Sequence, residues 1–195
     1  SAQGIHSGRV AGPNCPAFRL GETATNACRF TIVGAFRLDE GSCMTGYFFK
    51  MGSDISATQS CWIGMFNGTT LDSADPATTH RAGLRYTAGT DTNWSISTKD
   101  GATPNNIDST VAVTADYYYV VRLLLTTTTF TAQIGRGATL AAAASDFASF
   151  TPVANNSNLP GSTTDLQIIS SCYRSSVASA NRSIISGPLL WRCDL

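Results

Sequence analysis

The sequence predicts an all-β protein, an antiparallel two-sheet sandwich of about ten to twelve short strands. Three observations predict this class. Strand-length runs of apolar and β-branched residues recur along the 195-residue chain, and turn-forming Gly, Asn, Asp and Pro separate them. Only residues 138–148, which are rich in alanine, have the composition of a short helix. No repeat of fixed period is present, which argues against a propeller or a solenoid.

The clearest strands lie in the middle of the chain. They are residues 93–98 (NWSIST), 117–125 (YYYVVRLLL) and 130–136 (FTAQIGR). In the first run, Trp94, Ile96 and Thr98 alternate with polar residues and therefore share one face. The second run is almost continuously apolar, which predicts a central strand that is buried on both faces.

Further strands are predicted along the rest of the chain. They are residues 29–38, 45–51, 60–66, 81–87, 110–114, 165–172 and 183–193. Pro188 has no backbone N–H to donate, so it predicts a bulge or an edge position in the last strand. Residues 71–79, 99–106 and 155–164 have the composition of loops.

The length and composition predict one domain with a sizeable core, because 43% of the residues are hydrophobic. Residues 1–28 are rich in Gly, Pro and Asn and are predicted to form an extended N-terminal arm. Residues 29–195 are predicted to form a single sandwich domain. The chain begins with Ser1, so we expect a processed chain or one cut from a longer protein.

Charged residues are scarce, at 13% of the chain against roughly 25% in typical soluble domains, and the formal net charge is zero. No basic cluster is present, so neither nucleic acid nor an anionic membrane surface is an expected partner. No apolar run reaches the roughly 18 residues that a membrane span needs. A weakly charged, Ser/Thr-rich surface suits contact with neighbouring subunits or with sugars, although it is also common in sandwiches without either role.

The chain has six cysteines: Cys15, Cys28, Cys43, Cys61, Cys172 and Cys193. No pair has C-x-x-C spacing and neither histidine is close to a cysteine, which argues against a zinc site. An even number of cysteines in an all-β chain predicts disulfides and an oxidising setting. We expect Cys172 to pair with Cys193 on neighbouring terminal strands, and Cys15 to pair with Cys28. The alternative is that several remain buried thiols.

No catalytic constellation is apparent. Sandwich glycosidases need two carboxylates beside the cleaved bond, but Glu22 and Glu40 are the only glutamates and lie in no E-x-D-x-x-E pattern. His80 follows Asp72 and Asp75, yet no G-x-S-x-G nucleophile elbow is present. We therefore predict no catalytic residues, no cofactor and no enzymatic activity.

Two oxygen-rich segments are candidate calcium sites. One contains Asn67, Asp72 and Asp75, and the other contains Asp100, Asn105, Asn106 and Asp108. Neither has the D-x-D-x-D-G pattern of a calcium loop. Such side chains more often bond to their own backbone in turns, so no metal is predicted.

Aromatic side chains are candidate sugar contacts, because a flat ring stacks on the face of a pyranose. We predict Trp94 and Trp62 as the first candidates, with Tyr86 beside them. All three lie within predicted strands, where packing in the core is the alternative role.

Several segments together resemble a family of virion surface proteins of tailed bacteriophages that carry a concanavalin A-like jelly-roll domain. The matching pieces are RYTAGTDTNWSIST, STVAVTADYYYVVRLLL, FTAQIGR, LQIISSC and LLWRC, with SCWIGMFNGTT before them. The resemblance implies a concanavalin A-like jelly roll over roughly residues 29–195 and a structural or adhesive role without catalytic residues. The six cysteines depart from this family, whose chains fold in a reducing cytosol.

The leading hypothesis is therefore a non-enzymatic protein of the virion surface, such as a capsid decoration protein, a head fibre or a tail-fibre domain. It would stabilise the particle or mediate host adhesion, as a homotrimer that contacts other capsid or fibre proteins. The alternative is a carbohydrate-binding module or lectin-like domain that recognises a glycan. A glycosidase on the same fold would need a pair of carboxylates in a cleft.

Overall fold

A computed structural model describes residues 17–20, 27–31, 35–52, 55, 59–68, 80–101, 103–174, 182–186 and 190–193. These residues contain thirteen strands and one helix. In chain order the elements are β1 (Ala17–Leu20), β2 (Ala27–Thr31), β3 (Cys43–Lys50), β4 (Gln59–Phe66), β5 (His80–Thr87), β6 (Asn93–Asp100), β7 (Pro104–Ala112), β8 (Tyr118–Leu125), β9 (Phe130–Gly137), α1 (Leu140–Ser149), β10 (Val153–Asn155), β11 (Gln167–Arg174), β12 (Arg182–Ser186) and β13 (Leu190–Cys193).

The strands form two antiparallel sheets. The seven-stranded sheet has the order β1-β12-β3-β8-β9-β10, and β13 also pairs with β3. The six-stranded sheet has the order β2-β11-β4-β5-β6-β7. Strands β4 to β7 follow one another, whereas β11 returns from far along the chain to lie between β2 and β4. This architecture confirms the predicted two-sheet sandwich.

The core lies between the two sheets and follows the alternation of side chains along each strand. In β3 every second residue is buried, and in β8 the buried residues are Tyr119, Val121, Leu123 and Leu125. The prediction that β8 is buried on both faces is wrong, because Arg122 is exposed and its neighbours on that face are only partly covered. Strand β8 is nevertheless central, since it pairs with β3 and β9.

The predicted loop at residues 99–106 is also wrong. Strand β6 extends to Asp100 and β7 begins at Pro104, so the connection is short. Two asparagines of that segment pair with β6, Asn105 with Thr98 and Asn106 with Ser97. The backbone pairing of these residues with β6 outweighs the weak strand preference of asparagine.

Strand pairing begins inside the predicted N-terminal arm. Strand β1 pairs with β12 in one sheet, and β2 pairs with β11 in the other. Residues 17–20 thus belong to the sandwich, while residues 1–16 lie outside the described part of the chain. Pro188 also lies outside it, between β12 and β13, which pair with successive parts of β3.

The predicted helix is confirmed as α1, which packs on the outer side of β9. The Thr139 hydroxyl caps its first turn by accepting from the backbone N–H of Ala142 at 3.1 Å. Gly135 and Gly137 lie directly beneath the helix, where an added Cβ would overlap the backbone of Ala143. Within the described ranges, no helix has the length and apolar character that a membrane crossing requires.

Candidate functional site

The structure places Trp94 in the centre of the core. Its side chain is fully buried and its ring makes edge contacts with Phe49, Tyr86 and Tyr119, at centroid distances of 5.7, 6.1 and 5.8 Å. The alternation along β6 turns this side chain inward, together with Ile96. No face of the ring is open to a sugar, so the predicted sugar contact of Trp94 is corrected to a packing role.

Tyr86 is also a core residue. Its side chain is 6% exposed, and its hydroxyl donates to the carbonyl oxygen of Ile55 at 3.3 Å. Tyr86 therefore offers no stacking surface either, because the inward face of β5 holds it against Trp94.

Trp62 lies on the opposite side of the same sheet from the core residues Cys61 and Ile63, yet it is fully buried. The Arg81 guanidinium lies over its ring at 4.8 Å from the centroid, and Phe66 meets it edge-on at 6.0 Å. The ring is thus already stacked by this chain's own cation. Trp62 cannot stack on a sugar in this structure, so its predicted role is corrected as well.

Arg81 links this aromatic cluster to the next strand. It is fully buried, and its Nε donates to the Ser97 hydroxyl oxygen at 3.0 Å. A buried guanidinium needs both charge-stabilising contacts and hydrogen bonds. No motif in the sequence indicates this pairing, because Arg81 and Ser97 approach each other only through the β5–β6 register.

Towards β6 and β7, the outer face of the six-stranded sheet becomes accessible. Asn93, Lys99, Asn106 and Asp108 lie there, and we call them the β6–β7 strip. Asn106 and Asp108 are exposed, and Asn93 and Lys99 are half-buried. The Asn93 amide nitrogen donates to both carboxylate oxygens of Asp108 at 3.0 Å. The strip combines donors and acceptors, which is what the hydroxyl groups of a ligand require.

A bulge shapes this strip. The register between β6 and β7 shifts between Asn93 and Ser95, and Thr110 has a left-handed φ of 64°. A β-branched residue rarely adopts this conformation. The Asp108 carboxylate holds it by accepting from the Thr110 N–H at 2.6 Å. Bulges re-aim side chains and often lie next to functional sites, and the sequence alone did not indicate this one.

The β5–β6 turn beside the strip is fixed by an ion pair. Arg85 donates to both carboxylate oxygens of Asp91 at 2.8 and 3.1 Å. Their side chains are only 15% and 10% exposed. The same carboxylate accepts from the Thr87 N–H at 2.8 Å, so the turn is tied to β5 at two points.

The oxygen-bearing side chains of the second candidate calcium segment do not converge on one point. Asp100 pairs with His80 at 3.1 Å, and Asn105 points inward to donate to the Asn155 amide oxygen at 2.9 Å. Asp108 bonds to Asn93 on the outer face. The described residues contain no group of three or more His, Cys, Asp or Glu side chains that could hold a metal ion. Asp72 and Asp75 lie outside the described residues.

The cysteines occupy positions that the sequence did not predict. Cys172 and Cys193 belong to different sheets, so the expectation that their strands are neighbours is wrong. Cys193 lies opposite Cys43, and Cys172 lies opposite both Cys61 and Cys28. Cys15 lies outside the described residues.

Neither a protein-family model nor a curated protein matches the chain by sequence. Solved structures do match. The legume lectin-like domain from Entamoeba histolytica has a TM-score of 0.59 at 8% identity, over 94% of this chain and 85% of that chain. The Emp47p carbohydrate recognition domain has a TM-score of 0.58 at 9% identity, over 92% and 84%. The chain has a lectin-like, concanavalin A-like fold.

The same lectin-like fold occurs in a catalytic neighbour. The GH131 β-glucanase catalytic domain from Podospora anserina has a TM-score of 0.52 at 11% identity, over 90% of this chain and 70% of that chain. Because identities this low establish the fold alone, the function has to be argued from this chain's own residues.

Proposed function

We propose that this lectin-like domain is a non-enzymatic glycan-recognition module that binds its ligand through the β6–β7 strip. The observation that carries the proposal is the exposed pair Asn106 and Asp108 on β7, where Asn93 and the Thr110 N–H hold the Asp108 carboxylate in place beside a bulge. Solved neighbours named as carbohydrate recognition domains support the ligand class.

The strip suits binding better than catalysis. Both oxygens of Asp108 are engaged, by the Asn93 amide, and one of them also by the Thr110 N–H. A glycosidase needs one carboxyl group that delivers a proton and a second that attacks or activates water. A carboxylate occupied as an acceptor of local hydrogen bonds is better placed to hold a ligand hydroxyl than to transfer a proton.

A role on the surface of a bacteriophage virion is the second candidate, and glycan binding would there serve host adhesion. The segment STVAVTADYYYVVRLLL supports it through its resemblance, and it folds as the end of β7, a turn and β8. The Tyr119 hydroxyl fixes this connection between the two sheets by donating to the Ala112 carbonyl and accepting from the Thr114 N–H at 2.9 and 2.8 Å. Burial raises the pKa of the Tyr119 phenol, so the proton needed for the donation is retained.

A glycan array probed with the purified chain tests the glycan proposal. Asp108→Ala and Asn106→Ala should each weaken binding to the best glycan by about tenfold or more, as loss of one well-placed polar contact predicts. Asp165→Ala and Asn156→Ala are matched controls, because both are exposed and lie outside the strip. Equal losses in strip and control variants, or no bound glycan, would contradict the proposal.

Light scattering after size exclusion tests the virion candidate independently. A trimer of the 20.5 kDa chain supports assembly on a particle. A monomer that binds glycans counts against the homotrimer and leaves the recognition module in place.

A further inference from the structure

Five of the six cysteines occupy directly opposed positions on neighbouring strands. Cys193 of β13 pairs in register with Cys43 of β3. Cys172 of β11 pairs in register with Cys61 of β4 on one side and Cys28 of β2 on the other. From this register we propose that the oxidised chain contains two cross-strand disulfides, Cys43–Cys193 and Cys61–Cys172.

The separation of opposed strand positions suits a disulfide. Directly opposite residues in an antiparallel pair have Cα atoms roughly 4.5–5.5 Å apart, and disulfides join Cα atoms about 4.4–6.8 Å apart. Cys43 and Cys61 are fully buried within the core cluster. Because opposite residues share a face, the register positions of Cys193 and Cys172 lie on the core side of their sheets.

The same geometry disfavours a bond between Cys172 and Cys193. Their strands belong to different sheets, and packed sheets lie about 10 Å apart, which exceeds the roughly 7 Å limit for a disulfide. Of the two cysteines opposite Cys172, Cys61 is favoured because β4 and β11 pair along eight positions, against five for β2 and β11. Cys28 then remains a thiol.

The oxidant is a low-molecular-weight disulfide, such as oxidised glutathione. One cysteine thiolate attacks it, forming a mixed disulfide and releasing one glutathione thiolate. The opposed cysteine thiolate displaces the second glutathione, so two protein thiols lose two protons and two electrons, and the oxidant becomes two thiols. Since Cys43 and Cys61 are buried in the folded sandwich, we infer that the bonds form during folding, before the sheets close.

The two bonds would fasten the late strands to the early ones. Cys43–Cys193 holds β13 on β3, and Cys61–Cys172 holds β11 on β4, each across a long stretch of chain. Redox conditions would thereby set how firmly the C-terminal part of the sandwich is attached.

A disulfide map of the full chain tests the proposal. The protein is unfolded and reduced, refolded with reduced and oxidised glutathione, alkylated, digested without reduction and analysed by mass spectrometry. We expect linked peptides for Cys43–Cys193 and Cys61–Cys172, and an alkylated Cys28. Links between Cys172 and Cys193 or between Cys172 and Cys28, or alkylation of all six cysteines, would overturn it.

Denaturation midpoints provide a second readout. Cys193→Ser and Cys61→Ser should each lower the guanidinium midpoint of the oxidised protein, and a reducing agent should remove most of the difference from wild type. Cys28→Ser is the matched control and should leave the midpoint of the oxidised protein unchanged. An equal shift in all three variants would overturn the assignment, and if a variant does not fold, the wild-type map still decides.

Discussion

The two outer faces of the sandwich follow the same side-chain alternation, but they are covered by different groups and to different extents. On the seven-stranded sheet, α1 covers β9 so closely that two glycines replace side chains beneath it. Gln133 secures the contact by donating to the Phe147 carbonyl at 2.7 Å. On the six-stranded sheet, the outer face holds Arg81 over Trp62, and then opens into the polar β6–β7 strip.

This difference indicates which face can serve a ligand. Where α1 packs against β9, the close contact between helix and strand backbone leaves no space for a ligand, although Arg122 on the outer side of β8 remains exposed. A face with partly exposed amide, ammonium and carboxylate groups keeps donors and acceptors available. The buried Trp62–Arg81 cluster then acts as the rigid base beside the strip.

The largest effect is expected for Trp62→Ala. The ring is fully buried against Phe66 and Arg81, so its loss should lower the free energy of unfolding by about 3–5 kcal/mol. Chemical denaturation measures this. Tyr118→Ala on the other outer face is the control, because Tyr118 is only half-buried and its loss should cost clearly less. Similar losses in the free energy of unfolding would show that the Trp62 cluster stabilises the fold no more than Tyr118 on the opposite outer face does.

Gly135→Ala comes next and tests the sealed face. The added Cβ would overlap the Ala143 carbonyl oxygen and the Phe147 side chain, so we expect a loss of about 3 kcal/mol, the upper part of the usual range for overpacking. Gly161→Ala is the control, since its added Cβ meets only Thr164 at an ordinary 3.4 Å. Thermal or guanidinium unfolding compares the two, and an unperturbed Gly135→Ala would mean that α1 is loosely docked.

Arg81→Met should have a smaller effect. It removes the hydrogen bond to Ser97 and the stacking on Trp62 but keeps an apolar stem of similar length. We expect a loss of about 1–2 kcal/mol. Arg122→Met, on the exposed outer side of β8, should change stability by less than about 0.5 kcal/mol. Equal losses of unfolding free energy for Arg81→Met and Arg122→Met in denaturant would show that the buried guanidinium does not stabilise the fold.

Thr110→Gly is expected to change stability least. Glycine relieves a left-handed conformation that costs a β-branched residue about 1 kcal/mol, and its own backbone entropy offsets part of the gain. Unfolding free energy should therefore stay within about 1 kcal/mol of wild type or rise slightly. Thr131→Gly within β9 should instead lose about 1 kcal/mol, and an equal loss at both positions would argue against strain at the bulge.

Much of the fold was predictable because it depends on local pattern. The prediction that Trp94 and Ile96 share the inward face of their strand is confirmed, and the alanine-rich segment forms α1. The prediction that β8 is buried on both faces was wrong, because a continuous apolar run does not reveal how much of a strand's outer side neighbouring elements will cover.

The candidate site was less predictable than the fold. Residue type alone favoured Trp94, Trp62 and Tyr86 as sugar contacts. In the structure Trp94 and Tyr86 point into the core, and Arg81 stacks on Trp62. The sequence indicated Asn106 and Asp108 only as possible calcium ligands, because this oxygen-rich segment resembles a loop in composition. Only strand pairing gives these residues a common face with Asn93.

The sequence by itself determined the all-β class, the position of the helix and the inward faces of the central strands, because these follow from periodicity between near neighbours. Only the tertiary structure decided which cysteines oppose one another, which aromatic rings are buried and which polar residues share the strip. Those relations depend on strand order and register, which join residues as far apart in the chain as Cys43 and Cys193 or Ala17 and Ile185. No local pattern records them, because contacts at that separation are set by how the two sheets pair and pack.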